Sequence, residues 1–204
     1  MTNIGVFGTG HVARAVAAGA AAAGHHIVFG SREPDSRKDL GFPVGTLDDA
    51  AAHGDIVVNA TPGTESLALL RPLAARLDGR VLLDIAVGLT ETMELAHPNS
   101  SIGEQIQQAL PATRVVKTLC TMDANVMAAP QRLSRPGTVF LSGADAGAKA
   151  QVADLLRDLG WAEETQLDLG GIHTARGQEH LALLFMGVAG ALGTYTFNFD
   201  VVRS

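Results

Sequence analysis

The stretch Ile4-Gly5-Val6-Phe7-Gly8-Thr9-Gly10-His11-Val12-Ala13 decides the fold. Ile4 to Phe7 has the apolar character of a buried strand, and the Ala-rich run from His11 to Ala23 reads as a helix stopped by Gly24. Between them stands Gly-x-Gly-x-x-Ala. Gly8 permits a tight turn, Gly10 lets an anion approach the backbone, and Ala13 keeps the helix near the sheet, while unpaired N–H groups at the helix start face the anion. A glycine motif alone is a weak signal, and a purely structural turn is the competing reading. At the join of a first strand and a first helix it points to the pyrophosphate of a dinucleotide.

About 20 residues further on, an Asp or Glu at the tip of the second strand would accept hydrogen bonds from an NAD ribose. The chain instead places Gly30-Ser31-Arg32 there, with Arg37 and Lys38 close behind. A hydroxyl and a planar guanidinium suit a 2′-phosphate, and each charge-assisted hydrogen bond is worth about 1.5–3 kcal/mol. NADP(H) is therefore expected over NAD(H). A solvated loop arginine is the alternative for Arg32, because Glu33 and Asp35 dilute the local charge; Arg37 and Lys38 are balanced between the two readings.

Working outward, strand-like runs recur at Ile27-Phe29, Ile56-Asn59, Val81-Ile85, Val115-Thr118, Val139-Leu141 and Glu164-Leu167. Several lack a polar face, as strands covered on both sides do. Helical runs at Leu47-His53, Glu65-Leu77 and Ala146-Leu159 alternate with them and end near Gly54, Gly79 and Gly160, residues that tolerate a left-handed cap. Thr46 and Asp49 form a loose capping pair. The pattern predicts an α/β, Rossmann-type doubly wound sheet, mostly parallel, over residues 1–170, with a short C-terminal helical segment over 171–204 that packs on the body or on a second subunit. The segments His97-Ser101 and Pro130-Pro136 read as surface loops from which strands resume. Within the last helix, Gly187, Gly190 and Gly193 would let another backbone approach, and a homodimer is expected.

Composition narrows the function classes. In 204 residues, 47% are hydrophobic, 18% charged and 4% aromatic, so a sizeable core must be built from Ala, Val and Leu rather than rings. A net charge of −6 gives no basic track for a phosphate backbone or an anionic bilayer, which argues against nucleic acid and membrane partners. The single cysteine, Cys120, cannot form an internal disulfide, and no Cys/His spacing fits zinc, so no metal and a reducing cytoplasmic location are expected. No secretion signal is read at the start, and the apolar run Leu181 to Leu192 is short of the roughly 20 residues that span a bilayer.

The strand ends carry the remaining candidates. Asn59-Ala60-Thr61-Pro62-Gly63 lies where ligands of open α/β sheets sit, so Ala60, Thr61 and Pro62 should flank the nicotinamide side, with Ala86 and Val87 on the neighbouring edge. Cys120 reads first as a small buried hydrophobe with a lesser prospect of ligand contact. His25, His26 and His53 are expected at the surface, on the opposite edge of the sheet. No Ser or Cys nucleophile with a supporting acid can be assigned to His173 or His180, and no catalytic residue is proposed from sequence.

On these residues the chain resembles the family of NADP oxidoreductases that includes the coenzyme F420-dependent NADP reductases, and it is similar to the cytosolic reductase domain of six-transmembrane metalloreductases. The likeness runs from Ile4 to about Arg203. It rests on the Gly-x-Gly-x-x-Ala turn, the Gly30-Ser31-Arg32 tip, Val115-Val116-Lys117-Thr118-Leu119-x-Thr121-Met122, Val139-Phe140-Leu141-Ser142-Gly143-x-Asp145, and Asp168-Leu169-Gly170-Gly171 followed by Thr174-Ala175-Arg176-Gly177. The resemblance implies that Thr9, Ser31 and Arg32 hold the 2′-phosphate, that the turn Gly8-Thr9-Gly10-His11-Val12 takes the pyrophosphate, that the nicotinamide lies by Thr61-Pro62 and Ala86-Val87, and that hydride passes directly to a deazaflavin (F420) or a flavin such as FMN or FAD. Such chemistry needs alignment and a water-poor cleft more than an acid or base. Relatives tend to carry an Asn-Pro-Leu-like turn where this chain has Ala86-Val87-Gly88-Leu89, and often Asn in place of Cys120. Both differences remove polar groups from the rim. The competing class is a non-catalytic NADP(H)-binding sensor or subunit.

Overall fold

The computed structural model describes residues 1–135 and 137–202, and Lys38 by its backbone alone. Among the described residues eight strands form one sheet: β1 (Asn3–Phe7), β2 (His26–Gly30), β3 (Val44–Gly45), β4 (Ile56–Asn59), β5 (Val81–Asp84), β6 (Arg114–Thr118), β7 (Val139–Ser142) and β8 (Gln166–Asp168). Their order is β3-β2-β1-β4-β5-β6-β7-β8, parallel throughout except between β6 and β7. The chain winds outward from β1 to β3, then returns to place β4 on the other side of β1. This reversal opens a crevice at the carboxyl ends of β1 and β4, where doubly wound sheets bind ligands.

The helices are α1 (His11–Ala22), α2 (Leu47–His53), α3 (Gly63–Leu70), α4 (Ala74–Leu77), α5 (Ile102–Ala109), α6 (Ala124–Ala128), α7 (Ala146–Asp158) and α8 (Ala175–Leu192). They cover both faces. Alternate strand residues explain why: Ile56, Val58, Val81 and Leu83 join α1, α6 and α7 in one core, while Val57 and Leu82 join α2 to α5 in the other. The one tryptophan, Trp161, is buried and donates its indole N–H to Met127 O at 3.0 Å, tying α6 to the turn after α7.

Several local expectations are revised. His97–Ser101 leads not into a strand but into α5, capped by Ser101, whose hydroxyl accepts from Glu104 N at 3.1 Å. The two-residue β3, the short α6 and the 3₁₀ turn that replaces the start of the last strand lack enough apolar periodicity to be read. Gly54 has φ −77°, so its role is close packing: a Cβ there would come 2.7 Å from Gly5 N. His25 is buried rather than at the surface, because its ring accepts Thr2 N–H at 3.2 Å and meets Asp158 at 3.1 Å. The Thr46–Asp49 capping box forms in both directions. Pro136, the end of the expected 130–136 loop, and Arg203 lie outside the described residues.

The first half of α8 packs on the α5 side of the sheet, and its second half turns Leu184 and Leu192 to solvent. The chain then returns: Phe197 stacks on Phe185 with centroids 4.6 Å apart, and Phe199 O accepts from Thr138 N at 2.8 Å beside the start of β7. Val201 N donates to the Thr138 hydroxyl at 3.0 Å.

Candidate functional site

Two adjoining cavities occupy the crevice. The larger, about 890 Å³, is lined by Gly8, Thr9, Gly10, His11, Val12, Ser31, Arg32, Arg37, Ala60, Thr61 and Pro62, so the structure gathers eleven positions picked out from sequence, together with Glu65, Leu47 and Leu69. Gly8 takes φ +101°, and a Cβ there would stand 2.5 Å from Ala60 O, which lets β1 and β4 turn away from each other without collision. At Gly10 a Cβ would meet no protein atom within 4 Å. That open space lies against the start of α1, which has no capping side chain and no acidic residue in its first turn. By contrast α2, α5, α6 and α7 are capped by Thr46, Ser101, Asp123 and Asp145. The free N–H groups of α1 therefore face the cavity, and the cradle fits a pyrophosphate.

Arg32 stands at the cavity mouth, 71% exposed, with its guanidinium 3.6 Å from Glu65 on α3. The pair spans the opening. Ser31 Oγ accepts from Glu33 N at 3.0 Å, which orders the tip of β2. Lys38, the remaining cationic candidate, has its side chain outside the described residues.

The smaller cavity, about 260 Å³, shares Val12, Ala60, Thr61 and Pro62 with the larger one. Ala86 and Val87 form one edge; Cys120, Met122 and Met127 form another; Ala182, Phe185 and Met186 of α8 close it. None of its lining residues is charged. Leu119, with φ +63°, turns the chain sharply after β6 and brings Cys120 to this wall. Burial pushes the Cys120 thiol up to about 12 despite the pull of Lys117, so it is a neutral S–H whose sulfur lies 3.8 Å from Gln178 Oε1.

Beneath this wall lies a buried polar chain. Thr61 Oγ1 donates to Asn59 Oδ1 at 2.6 Å, and Asn59 Nδ2 donates to Asp84 Oδ1 at 2.8 Å. Lys117, with no exposed surface, donates to Asp84 Oδ2 at 2.9 Å, to Glu179 Oε1 at 2.8 Å, and to Ala86 O at short range. All three ammonium protons are used. Burial alone would lower the Lys117 pKa, but the carboxylates of Asp84 and then Glu179 outweigh it and hold the group above the ordinary lysine range. Glu179 also accepts Ile102 N–H at 2.9 and 3.1 Å, so the amino end of α5 offsets the surplus negative charge.

Sequence reasoning missed Glu65, Asp84, Lys117, Gln178 and Glu179. A signal existed: Asp84 and Lys117 are charged residues in otherwise apolar strands, and such groups stay buried only when paired. Among the described residues, no cluster of His, Cys, Asp and Glu could hold a metal ion, and no helix is long and apolar enough to cross a membrane.

Comparison with known proteins agrees with this geometry. The profile of the family described as NADP oxidoreductase coenzyme F420-dependent matches residues 3–88, from β1 to the edge of the smaller cavity. Metalloreductase STEAP3 of Rattus norvegicus is 29% identical over 98% of this chain, which spans 43% of that protein's length. The F420-dependent NADP reductase of Methanocaldococcus jannaschii is 26% identical over 69% of the chain and 64% of its own. A crystal structure from Arthrobacter sp. FB24, provisionally described as an F420-dependent NADP reductase, superposes with a TM-score of 0.93 at 40% identity, covering all of both chains. With that full-length likeness, the chain belongs to the family of coenzyme F420-dependent NADP oxidoreductases.

Proposed function

We propose that the protein is an NADPH-dependent reductase that passes hydride directly to a deazaflavin such as F420, or to a flavin such as FMN or FAD. The observation that carries this reading is the continuity of the two cavities: a polar cradle of backbone N–H groups, Ser31 and Arg32 runs through Val12, Ala60, Thr61 and Pro62 into an uncharged pocket. Bound NADPH would supply the hydride from its nicotinamide. The Gly8–Val12 turn would take the pyrophosphate; Thr9, Ser31 and Arg32, with Arg37 and Lys38 nearby, would take the 2′-phosphate. Thr61, Pro62, Ala86 and Val87 would hold the nicotinamide facing the apolar pocket. Excluding water there favours hydride transfer, and the acceptor's accompanying proton comes from solvent.

Loss of nicotinamide absorbance in the presence of F420, FMN or FAD tests the reading. Acceleration by one of them is the expected result. NADPH binding without acceleration by any would overturn it in favour of a non-catalytic NADP(H)-binding module. A homodimer is proposed through the open face of α8, where Leu184 is 54% and Leu192 60% exposed and no protein atom lies within 4 Å of a Cβ built at Gly187 or Gly190. Sedimentation showing a monomer at micromolar concentration would remove it. The buried, unpaired Cys120 suits a reducing cytoplasm.

A further inference from the structure

Lys117 contacts neither cavity, yet it touches the supports of two facing walls of the smaller one. One N–H grips the Ala86 carbonyl, whose residue forms the edge beneath Thr61 and Pro62. A second grips Glu179 of α8 at 2.8 Å. Glu179, Ala182, Phe185 and Met186 follow one another at helical spacing, so they share a face, and the last three close the pocket. Glu179 is locked in turn by Ile102 N–H, and Gln178 beside it donates to Ser142 Oγ at 2.8 Å and to Lys117 O at 3.2 Å. A helix that slipped by one residue would rotate its face by about 100° and withdraw Phe185 from the cavity.

We propose that Lys117 and Glu179 are positioning residues for the acceptor: one buried ammonium ties the Ala86 edge to α8, fixing the width of the smaller cavity and the register of Phe185 within it. This rests on the hydride-transfer reading only for the identity of the occupant. The third N–H, to Asp84, extends the tie through Asn59 to Thr61, so the floor and both sides are braced by one hydrogen-bonded chain. Of these groups only Thr61 also lines the larger cavity; Lys117, Glu179, Asp84 and Asn59 stand away from the phosphate end of the crevice.

Two variants test the proposal. Glu179→Gln removes one charge. The triple variant Asp84→Asn/Lys117→Met/Glu179→Leu removes all three together, which keeps volume without stranding a charge should the single variant not fold. Amide hydrogen exchange is followed in α8 and α1, NADPH affinity by titration, and the primary deuterium isotope effect with 4-deuterated NADPH and FMN. The expected result is exchange at least tenfold faster in residues 182–192 than in the parent, unchanged protection of α1, and NADPH affinity within threefold. With FMN, kcat falls at least tenfold and the isotope effect rises. Unchanged α8 exchange, or parallel loss of α1 protection, α8 protection and NADPH binding, would overturn the proposal. Should the parent protein reduce neither FMN nor F420, the hydride reading fails on its own, and the exchange and binding measurements still decide whether this tie sets the wall.

Discussion

The two ends of the crevice are built on opposite plans. The groups assigned to phosphate at one end come mainly from one short local sequence, a glycine turn, an uncapped helix and the tip of the next strand within the first 32 residues, with Ala60 to Pro62 and Glu65 on the facing side. The acceptor end is assembled from segments at 60–63, 85–89, 120–127 and 182–186, and its walls are braced from behind by a buried charge cluster. Charged ligand groups can be met by backbone N–H groups and an exposed guanidinium without large desolvation. An apolar ring demands a dry pocket, whose shape depends on distant elements agreeing in position.

The largest effect is expected at Gly8, where Ala would combine a disfavoured φ with a Cβ 2.5 Å from Ala60 O. Strain of about 1–3 kcal/mol should lower the melting temperature, and displacement of the turn by a similar energy should reduce NADPH affinity by up to roughly a hundredfold. Calorimetric titration with unchanged affinity would refute the local plan. Gly10→Ala separates binding from folding: the added methyl meets no protein atom and φ is −79°, so stability should hold while NADPH affinity drops roughly tenfold or more. Normal binding by that variant would mean that the space belongs to no ligand. Arg32→Ala should cut the preference for NADPH over NADH by about tenfold to hundredfold in paired titrations, the value of a charge-assisted phosphate contact.

Smaller shifts come from groups around these parts. Glu65→Gln frees Arg32 from its carboxylate partner and should tighten NADPH a few-fold, mostly at low salt, because both side chains are exposed. An equal effect on NADH would detach Arg32 from phosphate recognition. At the base of α8, Arg176 holds the Glu104 carboxyl below its ordinary value of 4.5, against the opposing effect of burial. A carboxyl depressed in the folded state stabilises above its unfolded pKa, and that contribution is lost as pH falls through the lowered folded value. Arg176→Gln should therefore lower the melting temperature slightly near neutrality, the arginine being exposed, and leave it unchanged once pH is below the folded pKa. Melts at both pH values give the comparison.

The same contrast explains what could be read from the sequence. β1, α1 and the Gly30-Ser31-Arg32 tip were legible because each rests on residues within a few positions of one another, and the positions nominated there line one cavity. The α5 helix was hidden because only Ile102 and Ile106 carry its apolar face. Lys117 stands within a recognisable motif, yet its role is hidden there, since its partners are 33 residues earlier and 62 later along the chain. Pairing across such distances leaves only an indirect trace in sequence, a lone charge where Val and Leu prevail.

The return of the chain after α8 bears on how an occupant enters. With Gln178 and Glu179 anchored near its start and Phe185 held at mid-length by Phe197, on a segment fastened to Thr138 through Phe199, α8 is a beam held at two points rather than a hinged lid. Swinging it aside would break both sets of contacts at once. Give in this wall then falls to side chains, and Met122, Met127 and Met186, unbranched and free to change rotamer, are the ones able to yield around a ring while the backbone stays still.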